Sequence, residues 1–419
     1  MQHQNWAGNF RYSAARVHRP GTVDEVREIV RRAGKVKALG SRHSFNGIGD
    51  TEGDHISLER LNKVIELRRA ERTVKVQGGI RYGDLCAYLH REGFALHNLA
   101  SLPHISVAGA CATATHGSGD RHGSLATAVS AVEIVAASGE VVSFSRAETP
   151  DVFHGAVVSL GALGVVVSLT LDLVPAFDVG QEVYEELPLD AAVERFDEIF
   201  GLGYSVSLFT TWRRSAFDQV WVKRLAGGEA GAEGRAVPGA KNAQANLHPI
   251  PGADPANCTE QLGVPGPWHE RLPHFRMAFV PSAGDELQSE FFVARRHAPE
   301  ALRALDRIKE RLAPALHASE VRTIAADTQW LSPCYGRDSV GFHFTWKKDR
   351  EKVRPAIAAV EEALSPFDPR PHWGKLFTMP PGRVQGLYEK LPDFRRLALE
   401  LDPQGKFRNA FLDTYVFGS

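Results

Sequence analysis

Two short stretches carry reactive side chains at every second residue: Glu320 and Arg322 in 319-SEVRTIA-325, and His343 and Thr345 in 340-VGFHFTW-346. Residues i and i+2 of a strand point to the same side of a sheet. Read as strands, each stretch shows one polar pair on one face, with Phe342 and Phe344 turned to the other. If the two strands pair, a carboxylate, a guanidinium, an imidazole and a hydroxyl share one patch. Such a patch suits a polar ligand, although a solvated sheet face with a cross-strand ion pair has the same spacing. A further cation, Lys375, lies in 371-PHWGK-375, a turn whose Pro, Trp and Gly should hold it stiffly. A surface lysine is the other reading of that position.

The stretch 39-LGSRHSFN-46 packs a glycine, two hydroxyls, an arginine and a histidine behind a short apolar run. A loop of this kind turns tightly and can present several backbone N–H groups to a phosphate, as it can also be an ordinary polar turn. Further on, 99-LASLPHISVAGACATATHGSGDRHGS-124 is poor in charge and rich in Gly, Ala, Ser and Thr. Small residues let backbone approach a flat or charged ligand closely. A flexible loop is the alternative, but the interspersed Ile105, Val107 and Ala108 argue for burial.

These pieces need elements to position them. In 22-TVDEVREIVRRAG-34, Thr22 and Glu25 stand at capping-box spacing and Val23, Val26, Ile29 and Val30 form an apolar stripe, so a helix is expected, ended by Gly34. The strand 35–39 follows, which places the loop 39–46 at the carboxyl end of a strand in a βαβ-like unit, where α/β sheets tend to bind ligands. The strand 73-TVKVQ-77, Gly78, Gly79 and the helix 82-YGDLCAYLHREG-93 suggest a second unit of the same kind. A hairpin is expected over 131–145, turning at Ser138 and Gly139, and a strand over 164–174. Beyond residue 176 come apolar strands at 204–212 and 217–223, then 226-AGGEAGAEGRAVPGAKNAQAN-246, which reads as a long surface excursion. Strands at 287–293, 319–325 and 340–346 alternate with helices at 299–312 and 350–364. That succession predicts a mainly antiparallel sheet with helices on one face and the other face free for a site.

Composition narrows the chemistry. The chain has 419 residues, 43% of them hydrophobic, with 49 Lys and Arg against 50 Asp and Glu. That suits two or three domains and offers no field to draw in nucleic acid or an anionic membrane. A small or neutral partner is favoured. The N-terminus has no apolar core of signal-peptide length and no stretch approaches a membrane span, so a cytoplasmic protein is expected. Cys86, Cys111, Cys258 and Cys334 are far apart and form no CxxC pair, which suggests reduced, buried thiols and no metal site. There is no GxGxxG in a dinucleotide-binding context, no GxxxxGK[ST], no HExxH and no GxSxG, so NAD, ATP hydrolysis, zinc peptidase action and serine hydrolysis lose support.

The loop Leu39–Asn46, the segment 99–119, the run 161-GALGVVVSL-169, 324-IAADTQWLSPCYGRD-338 and 371-PHWGK-375 closely resemble the alditol oxidases, flavoproteins of the vanillyl-alcohol oxidase superfamily. The resemblance covers nearly the whole chain. It implies an α+β, two-domain fold of the PCMH or vanillyl-alcohol-oxidase type. Residues 1–176, completed by 376–419, would bind FAD, and residues 177–375 would form a substrate-binding cap with a mainly antiparallel sheet flanked by helices.

By the same resemblance His43 would be joined to the flavin 8α-methyl group. Gly40, Ser41, Arg42, Ser44 and Phe45 would cradle the cofactor beside it. Ser101, Ser106, Gly109, Thr115, His116, Gly117 and Ser118 would wrap it, with Val165 and His372 as further contacts. Arg42 stands where many relatives have a glycine, so its side chain must stay away from the cofactor. A polyol would lie over the flavin, held by Ser101, Glu320, His343 and Thr345, with Arg322 and Lys375 stabilising alkoxide charge as hydride leaves C1. Xylitol or sorbitol would become the aldose and oxygen would become hydrogen peroxide, in a monomeric enzyme. An aldonolactone oxidase or dehydrogenase shares the FAD domain, and a protein that holds flavin or sugar without turnover is a different class again.

Overall fold

The computed structural model describes residues 3–227, 236–277 and 284–418. Of the excursion expected over 226–246, residues 228–235 lie outside the described residues. Near the N-terminus, β1 (Arg16–His18), β2 (Val36–Leu39) and β3 (Asp54–Ser57) form a parallel sheet with β3 in the middle. Between β1 and β2 runs α1 (Val23–Arg32), whose N-cap Thr22 accepts a hydrogen bond from the Glu25 amide and whose Val26 and Val30 are buried. This is the expected βαβ unit, and the loop 39–46 leaves the carboxyl end of β2.

The second unit does not form as expected. β4 (Val64–Arg68), β5 (Thr73–Gln77), β6 (Val129–Val135), β7 (Val141–Ser145) and β8 (Val165–Asp172) make a sheet in the order β4-β5-β8-β6-β7, antiparallel at every pairing. The helix α2 (Tyr82–Arg91) therefore leads from β5 into the small-residue segment rather than to a parallel neighbour. Strand followed by helix leaves the direction of the next pairing open. The glycine pair at 78–79 serves close packing: a Cβ on Gly79 would lie 1.8 Å from the Leu58 carbonyl oxygen. The small-residue segment is packed, with the short helix α3 (Val107–Ala112) burying Val107, Ala110 and Cys111.

The third sheet contains β9 (Asp178–Pro188), β10 (Ser205–Thr210), β11 (Ala216–Leu225), β12 (Glu286–Ala294), β13 (Leu316–Ile324) and β14 (Ser339–Lys347). Their order is β9-β11-β10-β13-β14-β12, with antiparallel pairing throughout. β9 was not expected, because its glutamates interrupt the apolar alternation of DVGQEVYEELP. The helices α4 (Ala298–Arg307) and α5 (Arg350–Leu364) bury Leu302, Leu305, Val353, Ile357 and Val360 in one core with Phe342 and Phe344. The polar pairs on β13 and β14 are left for the opposite side.

The C-terminal segment returns to the N-terminal sheet. Asn409 Nδ2 donates to the carbonyls of Gly47, Ile48 and Asp50, and Lys37 Nζ donates to those of Leu160, Gly161 and Phe407. All four cysteines are free and buried. Among the described residues no helix is long and apolar enough to cross a membrane.

Candidate active site

A cavity of about 850 Å³ runs from the loop after β2 to the face of β13 and β14 that carries Glu320, Arg322, His343 and Thr345. Gly40 to Phe45 line one wall, and Ser101, Ser106, Gly109, Thr115 and His116 another. Glu320, Arg322, His343 and Thr345 close the far end with His372 and Lys375. Three expected contacts lie outside this lining. Ser118 donates its hydroxyl to the Val206 carbonyl, and Gly117 is pressed against Leu99 and Asn98, where a Cβ would lie 2.4 Å from the Leu99 oxygen. Val165 packs with Val26 and Val135 in a separate core, while Val166 lines the cavity. The period of two along β8 accounts for that exchange.

The residues present fit FAD. The small-residue wall admits a flat ring system, because Gly40 and Gly109 sit so close to Ser106 that added Cβ atoms would lie 2.6 and 2.7 Å from its Oγ. That hydroxyl and His43 Nδ1 are buried with no hydrogen-bond partner, a donor–acceptor and a ring nitrogen held ready for a ligand. Burial lowers the His43 pKa to about 4, so the ring is neutral near pH 7. Trp6 stacks on it at 5.2 Å, and the N-terminal strap holds that stack through Trp6 N to the Arg42 carbonyl at 2.8 Å and Asn5 Nδ2 to the Ser44 carbonyl at 2.9 Å. Phe45 N donates to Gly374 O at 2.7 Å, and Asn46 Nδ2 donates to the Trp373 and Lys375 carbonyls at 2.8 Å each. The loop carrying His43 and the turn carrying Lys375 are thus one unit. Arg42 has φ of +63°, in the left-handed region a glycine would occupy freely, and its exposed side chain turns to the Gln4 carbonyl.

At the far end β13 and β14 pair as expected, with Glu320 opposite His343 and Ala318 opposite Thr345. Glu320 Oε2 lies 3.6 Å from Arg322 Nε and 3.8 Å from His343 Nδ1, beyond hydrogen-bond reach. Arg322 Nε and His343 Nε2 are buried without hydrogen-bond partners. Burial, with Lys375 nearby, lowers His343 to about 4.

The sequence reading missed Glu290. This fully buried carboxylate on β12 accepts from Arg322 Nη2 and Lys375 Nζ at 2.7 Å each and meets His116 Nε2 at 3.1 Å. Burial alone would raise its pKa, but Lys375, Arg322 and His116 hold it well below the usual carboxylate range. Arg322 and Lys375 are therefore not the two bare cations that the sequence suggested; an anion joins them. Both nitrogens of His116 face acceptors, since Nδ1 meets the Gly117 carbonyl at 2.8 Å, so both contacts are hydrogen bonds only when the ring is charged. Burial opposes that charge. The one available signal for Glu290 was a lone acid inside the apolar strand 287-LQSEFFV-293. His274, whose Nε2 lies 2.8 Å from Glu320 Oε1, was missed as well.

Comparison with known proteins agrees with this geometry. Residues 14–145 match the FAD binding domain family, and residues 285–415 match the D-arabinono-1,4-lactone oxidase family. The solved structure of xylooligosaccharide oxidase from Myceliophthora thermophila C1 superposes with a TM-score of 0.76 at 16% identity, covering 97% of this chain and 93% of that one. Cholesterol oxidase from B. sterolicum gives 0.78 at 14% identity, with 99% and 96% covered. The two family matches, on this fold, place the chain among the flavoprotein oxidoreductases of the vanillyl-alcohol oxidase type. Within that class, an alditol oxidase of Streptomyces sp. (strain IKD472 / FERM P-14339) is 52% identical over 417 residues, 99% of each chain, and the chain belongs to the alditol oxidase family. L-gulonolactone oxidase of Mus musculus is more distant, at 26% identity over 100% of this chain and 98% of its own.

Proposed function

We propose that the protein oxidises the terminal primary hydroxyl of linear alditols such as xylitol and sorbitol to the aldose, using FAD and reducing oxygen to hydrogen peroxide. FAD, when bound, would supply the redox chemistry, taking up hydride from the alcohol carbon and giving the electrons to oxygen. Residues 1–176 with 376–419 bind it and residues 177–375 form the cap; the ties from Asn409 and Lys37 support grouping the C-terminal tail with the N-terminal part. His43 carries the flavin covalently, a reading supported by its neutral ring and its unpartnered Nδ1.

The observation that carries the substrate reading is the face of β13 and β14. Arg322 Nε can only donate, His343 Nε2 beside it is likewise without a hydrogen-bond partner, and Glu320 Oε2 has only the longer ion-pair contacts at 3.6 and 3.8 Å. A polyol has hydroxyls that serve each of them. Arg322 and Lys375 would stabilise negative charge on the alcohol oxygen, while Glu290 fixes both cations in place. The match over residues 285–415 favours a second reading, an aldonolactone substrate, but the 52% identical relative favours the alditol. The protein acts as a monomer in this reading, and its buried free thiols suit the cytoplasm.

Peroxide release tests this reading. Xylitol and sorbitol should give peroxide, with 1-propanol lower in kcat/KM by ~10⁴-fold because it leaves the buried polar groups unpaired. Equal efficiency for 1-propanol, or no peroxide from any alditol, rejects the reading.

A further inference from the structure

Behind Glu320 lies another buried cation, which the proposed reaction leaves unused. Lys223, on β11, is 1% exposed, and its Nζ reaches Leu272 O at 2.5 Å, Pro273 O at 3.3 Å and His274 Nδ1 at 3.3 Å. An ammonium has three hydrogens and no lone pair. Two carbonyls and one ring nitrogen use all three, so Nδ1 must accept. His274 then keeps its proton on Nε2, which donates to Glu320 Oε1 at 2.8 Å. The opposite tautomer would set donor against donor at Lys223 and lone pair against carboxylate at Glu320.

We propose that Lys223, acting through the tautomer of His274, holds Glu320 as an ionised acceptor for a substrate hydroxyl. Lys223 and His274 are positioning residues; Glu320 is the group that touches substrate. With Oε1 committed to His274, Oε2 keeps its lone pairs free, since Arg322 Nε and His343 Nδ1 stand 3.6 and 3.8 Å away. The titratable groups that face this line are Arg322, His343 and the thiol of Cys258, which burial pushes up to about 12 and so keeps neutral. Burial brings Lys223 to about 7 and His274 to about 4. Near pH 6 the lysine is therefore charged and the ring neutral, the two states that the geometry requires.

The kinetic arm of the test rests on the alditol reading, and the spectroscopic arm does not. In the holoenzyme labelled with ¹⁵N-histidine, near pH 6, the His274 resonances are those lost in His274→Gln. They should report the Nε2–H tautomer in the parent, and in Lys223→Met, where Glu320 alone still selects that tautomer, an Nδ1 resonance shifted by the loss of its ammonium donor. With xylitol, Lys223→Met and His274→Leu should raise KM by about 10- to 100-fold, the loss of a hydrogen bond to a charged group, with kcat little changed. His274→Gln, whose amide can donate to Glu320 and accept from Lys223, should stay within a few fold of the parent.

A parent ring carrying its proton on Nδ1 overturns the proposal, as does a Lys223→Met protein that keeps both the parental Nδ1 resonance and the parental KM. Should Lys223→Met fail to fold, equal KM values for His274→Gln and His274→Leu overturn it instead. A parent with the expected tautomer that is inert to xylitol supports the relay and rejects the alditol reading.

Discussion

Replacing Glu290 by glutamine keeps the shape of the side chain and removes a charge that three groups share. Its oxygens lie 2.7 Å from Arg322 Nη2, 2.7 Å from Lys375 Nζ and 3.1 Å from His116 Nε2, and the side chain is 0% exposed. An amide has one accepting oxygen, so at least one cation would face an NH₂ group. Breaking a buried ion pair from one side costs about 3–5 kcal/mol, because the abandoned charge stays out of water. Unfolding entropy of about 2.1 cal/mol/K per residue, taken over 419 residues, is ~0.9 kcal/mol/K, so the loss amounts to a Tm lower by roughly 3–6 °C. Differential scanning calorimetry of the two holoproteins at one scan rate measures it, with flavin content checked by absorbance. A Tm within ~1 °C of the parent at equal flavin content would refute an ionised bridge at Glu290.

Lys375→Met removes charge while keeping much of the apolar stem, and anaerobic flavin reduction by saturating xylitol should slow by about 10²- to 10³-fold. An unchanged reduction rate with only a weaker apparent affinity would make Lys375 a uniform binding group. Acid precipitation should carry the flavin down with the parent polypeptide and leave it in the supernatant for His43→Ala; flavin in the parent's supernatant would end the covalent assignment. Burial lowers His122, His274 and His343 to about 4 each, below the ordinary histidine value, so the folded chain binds fewer protons than the unfolded one. Their contribution to stability is complete above about pH 6.5 and is lost as pH falls toward about 4, so the urea midpoint should drop between about pH 7 and about pH 4.5; an equal midpoint would contradict it.

What the sequence made legible was local. The alternation that put Glu320 and Arg322 on one face, and His343 and Thr345 on another strand's face, needs only the period of two, and β13 and β14 pair in the register that joins them. The capped helix α1 and the loop after β2 were equally readable, because cap, stripe and stop lie within one short stretch. Glu290 was not readable in the same way. Its role depends on β12 lying beside β14, a neighbour set by topology, and on the turn at Lys375 reaching back to it. Lys223 and His274 meet for the same reason, across 51 positions of chain and from a segment with no periodic pattern. The second βαβ-like unit failed because helix and strand signals carry no strand direction, and the run of three valines at 165–167 does not by itself show which of them faces the cavity.

The central claim is that an alditol, and not a cyclic lactone, delivers its electrons to the flavin in this cavity. Stopped-flow absorbance of the oxygen-free holoenzyme, mixed separately with xylitol and with L-gulono-1,4-lactone, tests it without the oxygen half-reaction. Xylitol should bleach the oxidised flavin band in a saturable single phase, and the lactone should leave it unchanged. Bleaching by the lactone with the band intact in xylitol would contradict the account.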